Sequence, residues 1–228
     1  MRFIVIRHGQ STNNLLWEQT GAEDGRDPDT ALTPTGHAQA GLLAQAIAGG
    51  VLPWSIDALY CSLMLRAVQT AAPLAEALDL PLHGHARLYE VGGPYEVDEE
   101  TGENEPHHGG AASALRSVSP RLLLPDCATD EGWYVEPFEP VPAAAARAAE
   151  VIAGLRAAHD QDATVALVSH GHFAQFLFRH FLRIEQMTGW LEIHNTSITL
   201  YEDRPDFPGM RALRTNWLPH LPDHLVTV

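Results

Sequence analysis

An α/β fold, with a largely parallel sheet covered by helices on both faces, is predicted by three observations. Apolar runs of strand length alternate with longer helical segments along most of the chain. Two of those runs, Phe3-Ile4-Val5-Ile6 and Val165-Ala166-Leu167-Val168, are continuous rather than alternating, as expected of strands buried on both sides. Finally, 228 residues suffice for one well-cored domain of this class.

Taken in order, a strand is expected near Arg2 to Ile6. Thr33 then reads as an N-cap with Pro34 at the first helical position, opening a helix that covers Ala38 to Ala48 and stops at Gly49-Gly50. A short strand at Ala58 to Cys61 leads into a helix over Leu63 to Leu78 with Arg66 in its first turn. From Gly92 to Pro140 the pattern dissolves into Gly, Pro and acidic residues, interrupted by a short helix around Ala111 to Val118. Pro142 opens an alanine-rich helix running to about Ala158, followed by a strand over Thr164 to Ser169. The helix from Gly171 to Phe181 carries Phe173, Phe176, Leu177 and Phe181 on one stripe, which is read as core. Strands at Ser197 to Glu202 and Met210 to Thr215 complete the set, and no internal repeat is evident.

A formal net charge of −15 argues against nucleic acid or anionic membrane surfaces as partners, because both need a basic footprint. Much of the acid lies in Glu96, Asp98, Glu99, Glu100, Glu103 and Glu105, read as a solvated loop or as a lid or specificity insertion. The two cysteines, Cys61 and Cys127, form no close pair and no metal-type spacing, which fits a reducing, cytoplasmic compartment. The apolar stretch at the N-terminus is too short for a signal peptide, and no segment has the length to span a bilayer. Oligomeric state is not set by the sequence.

The chemistry collects at two strand ends. Arg7-His8-Gly9 directly follows the first apolar run, and Ser169-His170-Gly171 ends the later one. In open α/β sheets ligands bind beyond the carboxyl ends of the strands, and a glycine after the histidine allows close approach to the backbone. Arg66 in the first turn of a helix opposes the helix dipole unless an anion compensates it. The shared target is therefore an anion. The pairs His83/His85 and His107/His108 lack a recognisable Asp, Glu or Cys partner set, so no metal is expected, and His194, His220 and His224 are treated likewise.

Together these residues resemble the histidine phosphatase superfamily, which includes cofactor-dependent phosphoglycerate mutases and many phosphomonoesterases. The resemblance rests on Arg7-His8-Gly9-Gln10-Ser11 with Asn14, on Asp29 with Leu32 to Ala40, on Cys61 to Ala71, on Val168 to Gly171 and on His194 to Leu200. It implies a three-layer α/β/α sandwich over residues 1–228 as one domain, with an inserted lid region at about 92–140. It further implies a metal-independent and cofactor-free phosphomonoester hydrolase, with mutase chemistry as the alternative and a non-catalytic phosphate-binding protein last. His8 is the expected nucleophile, Arg7 and Arg66 the forks for phosphate oxygens, and His170, if protonated near the phosphoryl group, a further donor. Ser11, Asn14, Gly171 and the amide of His172 are expected to complete the pocket. The resemblance places the general acid at Glu90, with Glu96 as competitor. The implied partner is a small phosphorylated substrate, phosphopeptides included.

Overall fold

The apolar runs become strands with both faces covered. The computed structural model describes every residue except 23, 24, 99, 205 and 208. In chain order the elements are β1 (Arg2–Arg7), α1 (Thr12–Thr20), α2 (Pro34–Ala48), β2 (Ala58–Ser62), α3 (Leu65–Leu78), β3 (Leu82–His85), β4 (Tyr95–Val97), β5 (Asn104–Pro106), α4 (Ala112–Val118), β6 (Leu122–Leu123), α5 (Ala143–Ala158), β7 (Thr164–Ser169), α6 (Gly171–Leu182), β8 (Ile198–Asp203) and β9 (Met210–Trp217).

Seven strands form the main sheet in the order β6-β3-β2-β7-β1-β8-β9. The first five run parallel, while β8 and β9 extend the sheet antiparallel. Because side chains alternate across a strand, each continuous apolar run feeds two cores. Ile4, Ile6, Leu59, Cys61, Ala166 and Val168 pack with Leu43 and Ile47 of α2 and with Val68 and Leu74 of α3. Phe3, Val5, Val165 and Leu167 pack on the other face with Val151, Ile152 and Leu155 of α5 and with Phe173, Leu177 and Phe181 of α6. The Phe173/Phe176/Leu177/Phe181 stripe is thus core, as expected.

Several elements differ from the sequence reading. Helix α3 starts at Leu65, since Ser62 Oγ accepts from Met64 N (3.2 Å) and holds the intervening residues in a turn. Pro73 sits inside α3 and leaves the Gln69 carbonyl without its helical donor. Helix α1 was not anticipated; none of its residues is buried, so it has no apolar stripe to read. It forms because Ser11 and Asn14 make a reciprocal capping box and Gly21 closes it in the left-handed region (φ 66°). The stretch expected to be irregular contains the β4–β5 hairpin, in which Glu96 lies opposite Glu105. Glu96, Glu100, Glu103 and Glu105 are exposed, and Asp98 Oδ1 accepts from the amides of Glu100 and Thr101. Glu99 lies outside the described residues. Among the described residues no helix is long and apolar enough to cross a membrane.

Candidate active site

β1 and β7 are neighbours in register, Arg7 opposite Ser169, so the chain leaves both strands at the same level. His8 N donates to Ser169 O (2.9 Å), which fixes the two histidine-bearing turns side by side. The rings of His8 and His170 meet edge to face with centroids 5.1 Å apart. Ser62, the last residue of β2, closes the group through a 2.8 Å bond between its Oγ and His170 Nε2.

Hydrogen bonds assign the His8 tautomer. Nδ1 lies 2.7 Å from the Gly9 carbonyl, which can only accept, so the proton is on Nδ1. Nε2 is left with a lone pair, accepting from Arg66 Nε at 3.1 Å. Burial, with the Arg66 and Arg7 charges second, holds the His8 pKa well below the usual histidine value, and the same causes act on His170. His170 is therefore neutral in the unliganded site, and the charged form named in the sequence reading would need the phosphoryl group beside it. Ser62 Oγ can give its proton to Nε2, which leaves the imidazole's own proton on Nδ1.

Both arginines line the same cleft, Arg66 buried and Arg7 half-buried. Arg7 donates from Nη1 to the Ile193 carbonyl, and Arg66 is 6% exposed. Burial lowers the pKa of Arg66 and brings that of Arg7 to about 10. Asp29 faces this group: its Oδ1 accepts from Leu65 N (2.8 Å) and its Oδ2 from Gly110 N (2.9 Å), tying the start of α3 to the inserted segment. Arg7 Nε, Arg66 Nη1 and His170 Nδ1 are all buried with no hydrogen-bond partner. Orphaned buried donors are costly, and the two arginine donors belong to side chains that line one cleft beside His8, a lining suited to an oxyanion, while His170 stands behind His8 and does not line that cleft.

The glycines serve packing. A Cβ on Gly9 would stand 2.7 Å from the Gly36 carbonyl, and one on Gly36 only 2.1 Å from the Gln10 carbonyl. The His8 loop is thereby clamped onto the first turn of α2, so Gly9 is needed for backbone contact rather than for ligand approach. A Cβ on Gly171 would lie 3.1 Å from Arg7 Nε, so that glycine makes room for the guanidinium. Below the loop, Asn195 donates from Nδ2 to the His8 carbonyl (3.1 Å) and accepts at Oδ1 from Thr227 Oγ1 (2.8 Å).

Glu90 is half-buried at the same cleft. Its Oε1 accepts from Val91 N (2.8 Å) and Phe173 N (2.7 Å), and its Oε2 from His172 N (3.0 Å), so the carboxylate caps the first turn of α6. The His172 amide is thus engaged with Glu90, and His172 lines the cleft. Arg147, 1% exposed, holds the Glu90 segment in place. It donates to the carbonyls of Arg87 and Tyr89 (both 2.9 Å), forms a two-point pair with Glu139 (2.7 and 2.6 Å), and lies over the rings of Tyr89 and Phe173 at 3.7 and 3.9 Å. Glu96 is exposed on the hairpin and does not line the cleft.

The cleft, about 270 Å³, brings together Arg7, His8, Ser11, Asn14, Arg66, Glu90 and His172. Asn13, Leu16, Trp17, Ala22, Arg26, Val91 and Tyr95 also line it, and none of these was read from the sequence. Arg26 and Tyr95 come from segments without a pattern; they meet only in space, the guanidinium 3.8 Å above the ring centroid. Asn195 lay inside a motif whose resemblance was noted, but its contact with His8 spans most of the chain. Among the described residues no group of three or more His, Cys, Asp and Glu side chains could hold a metal ion.

The depressed histidine pKa values carry a stability consequence. Unfolded histidines titrate near 6.5, whereas His8 and His170 titrate well below that when folded, and burial brings His220 to about 4. The unfolded chain therefore binds more protons below 6.5, so stability is fully present above that value and is lost as pH falls through the window. The melting temperature is expected to drop between pH 7 and 5, with a shallower slope in His220→Gln.

The fold and site define an α/β protein that gathers two histidines and two arginines beyond its parallel strand ends. The chain belongs to the histidine phosphatase superfamily, branch 1, whose family model matches residues 3–216. A probable phosphatase of Schizosaccharomyces pombe is 42% identical over 76 residues, which make up 33% of this chain and about a third (32%) of that relative's length. Among solved structures, a phosphoserine phosphatase mutant of Entamoeba histolytica superposes with a TM-score of 0.63 at 24% identity, covering 97% of this chain and 99% of that one. A mycobacterial glucosyl-3-phosphoglycerate phosphatase gives 0.60 at 20% identity, covering 95% and 98%. At this identity the likeness shows the fold.

Proposed function

We propose that this chain is a phosphomonoester hydrolase working through a phosphohistidine. The observation that carries the reading is the set of three partnerless buried donors, Arg7 Nε, Arg66 Nη1 and His170 Nδ1, grouped with an imidazole whose Nε2 lone pair is free of a proton. The family and the phosphatase names of its relatives agree with it.

In the first step His8 Nε2 bonds to phosphorus as the P–O bond to the leaving group breaks. The arginines and His170 neutralise the peripheral oxygens, and the Arg66 N–H now at Nε2 passes to one of them. Glu90 protonates the leaving oxygen. Its Oε2 accepts one backbone N–H against two at Oε1, so Oε2 keeps a lone pair for that proton. In the second step water attacks the phosphohistidine, gives its proton back to Glu90, and releases inorganic phosphate and free His8. Ser11 and Asn14 border the phosphoryl end, and residues 92–140 act as an insertion within one domain, supplying the Tyr95 wall of the cleft. Unpaired Cys61 and Cys127 fit a reducing, cytoplasmic setting.

Glu90→Gln is expected to slow esters with poor leaving groups far more than an activated aryl phosphate, which needs little protonation. The same pattern in Glu96→Gln but not in Glu90→Gln would move the acid to Glu96.

The proposal as a whole is tested by phosphate release. The purified protein should free phosphate from some member of a panel of phosphorylated metabolites, phosphopeptides and aryl phosphates, at rates unaltered by EDTA. Given 3-phosphoglycerate with a catalytic amount of the 2,3-bisphosphate, it should interconvert the monophosphates slowly or not at all. Rapid interconversion with negligible phosphate release would make it a mutase.

A further inference from the structure

Part of the cleft lining is built of different chemistry from His8 and the arginines. Leu16 and Trp17 of α1, then Val91, Tyr95 and His172, supply it. Helix α1 buries none of its residues, so Leu16 and Trp17 are not spent on the core, and Trp17 is 58% exposed. The wall continues outward from His172, whose ring lies 5.0 Å from that of Trp190, itself 61% exposed. Tyr95 is fixed in place, edge-on to Phe138 at 5.0 Å with Arg26 over its ring. Large exposed aromatic rings bordering one polar pocket mark a surface kept for a ligand.

Charge points the same way. Beyond Arg7 and Arg66, Arg26 is the one further cation lining the cleft among the described residues, and it is stacked on Tyr95. The acid at the cleft, Glu90, already accepts three backbone N–H groups. A leaving group with its own carboxylate would meet Leu16, Trp17, Val91 and Tyr95 here, whereas a flat apolar one would find contact with them.

Resting on the phosphatase reading, we propose that the substrate class is a monophosphate ester whose leaving group carries an aromatic or similarly flat apolar moiety, seated against Trp17, Tyr95 and His172. Trp17 is the specificity-determining residue, and Trp190 supports it through His172. A tryptophan face gives such a group both buried area and ring stacking, which together set a preference of about tenfold or more.

The test compares 2-phenylethyl phosphate with ethyl phosphate, whose leaving alcohols are similar in basicity, so that the ratio of kcat/KM reads the contact rather than the chemistry. The wild type is expected to favour the phenylethyl ester at least about tenfold, chiefly through KM. In Trp17→Ala, a substitution at an exposed position whose fold is checked by melting, the ratio should collapse toward one. Trp190→Ala should lower it part of the way. Equal turnover of the two esters by the wild type, or an unchanged ratio in Trp17→Ala, overturns the substrate class while leaving the phosphatase reading intact. A wild-type preference for phosphoserine or 3-phosphoglycerate that disappears in Arg26→Ala overturns it in favour of an anionic leaving group. If no monoester at all releases phosphate, the phosphatase reading fails on its own, and the apolar contact is read instead from binding of phenylethyl and ethyl phosphonates, where equal affinity would sink it.

Discussion

His8→Ala is expected to leave a folded protein whose phosphate release is reduced by at least about 10⁴-fold, the scale of loss when a covalent nucleophile is deleted. No substitute stands ready: the Nε2 of its neighbour His170 is tied to Ser62 Oγ, and Glu90 is held at the start of α6 by backbone N–H groups and serves the leaving oxygen. In the wild type, rapid quenching with labelled substrate should trap an adduct on His8 that is labile to acid and stable to base. Activity in His8→Ala above about one percent of wild type, with label still trapped elsewhere in the chain, would falsify the assignment.

Arg66→Ala is expected to cost about a hundred- to a thousand-fold in kcat/KM, the range seen when one preorganised donor to a developing oxyanion is removed. Two of its nitrogens matter at once, since Nε sits at the nucleophile and Nη1 is the orphan donor beside it. Arg66→Lys should therefore rescue little, because an ammonium on a flexible stem cannot fill two fixed positions of a planar fork. A conservative variant that regained most of the rate would mean that Arg66 serves only as bulk positive charge. The loss should fall on kcat as well as KM, because the transition state gains more from the donor than the bound ester does.

Much of this fold was legible because its core strands are buried on both faces and read as unbroken apolar runs. β7 matched its expected span, and the Thr33-Pro34 start of α2 followed from local capping chemistry. What escaped was held by other forces. β3 is short and is held by β2, the two-residue edge strand β6 pairs only with β3, and the β4–β5 hairpin is mostly exposed. Within the site, the residues carried by the two strand ends were visible because a polar pair after a buried strand is conspicuous. Arg26, Tyr95, Asn195 and Arg147 were not, since each acts through partners far away in sequence. The low proton affinity of His170 was hidden for the same reason: burial sets it first, followed by Arg66, His8, Arg147 and Arg7, none of which lies next to it in the chain.

The position of β1 in the sheet has a bearing on how the protein reaches its active form. Arg2 pairs with Thr164 on one side and with Glu202 on the other, so β1, synthesised ahead of both, waits through more than 150 residues before either neighbour exists. Closing such long loops is the slow part of folding a parallel sheet, and until it happens His8 and His170 have no reason to be near one another. Partly assembled chains should therefore be inert rather than weakly active. During refolding, recovery of turnover is expected to track the last, all-or-none docking of β1, which would make enzymatic activity a clock for the final step of biogenesis.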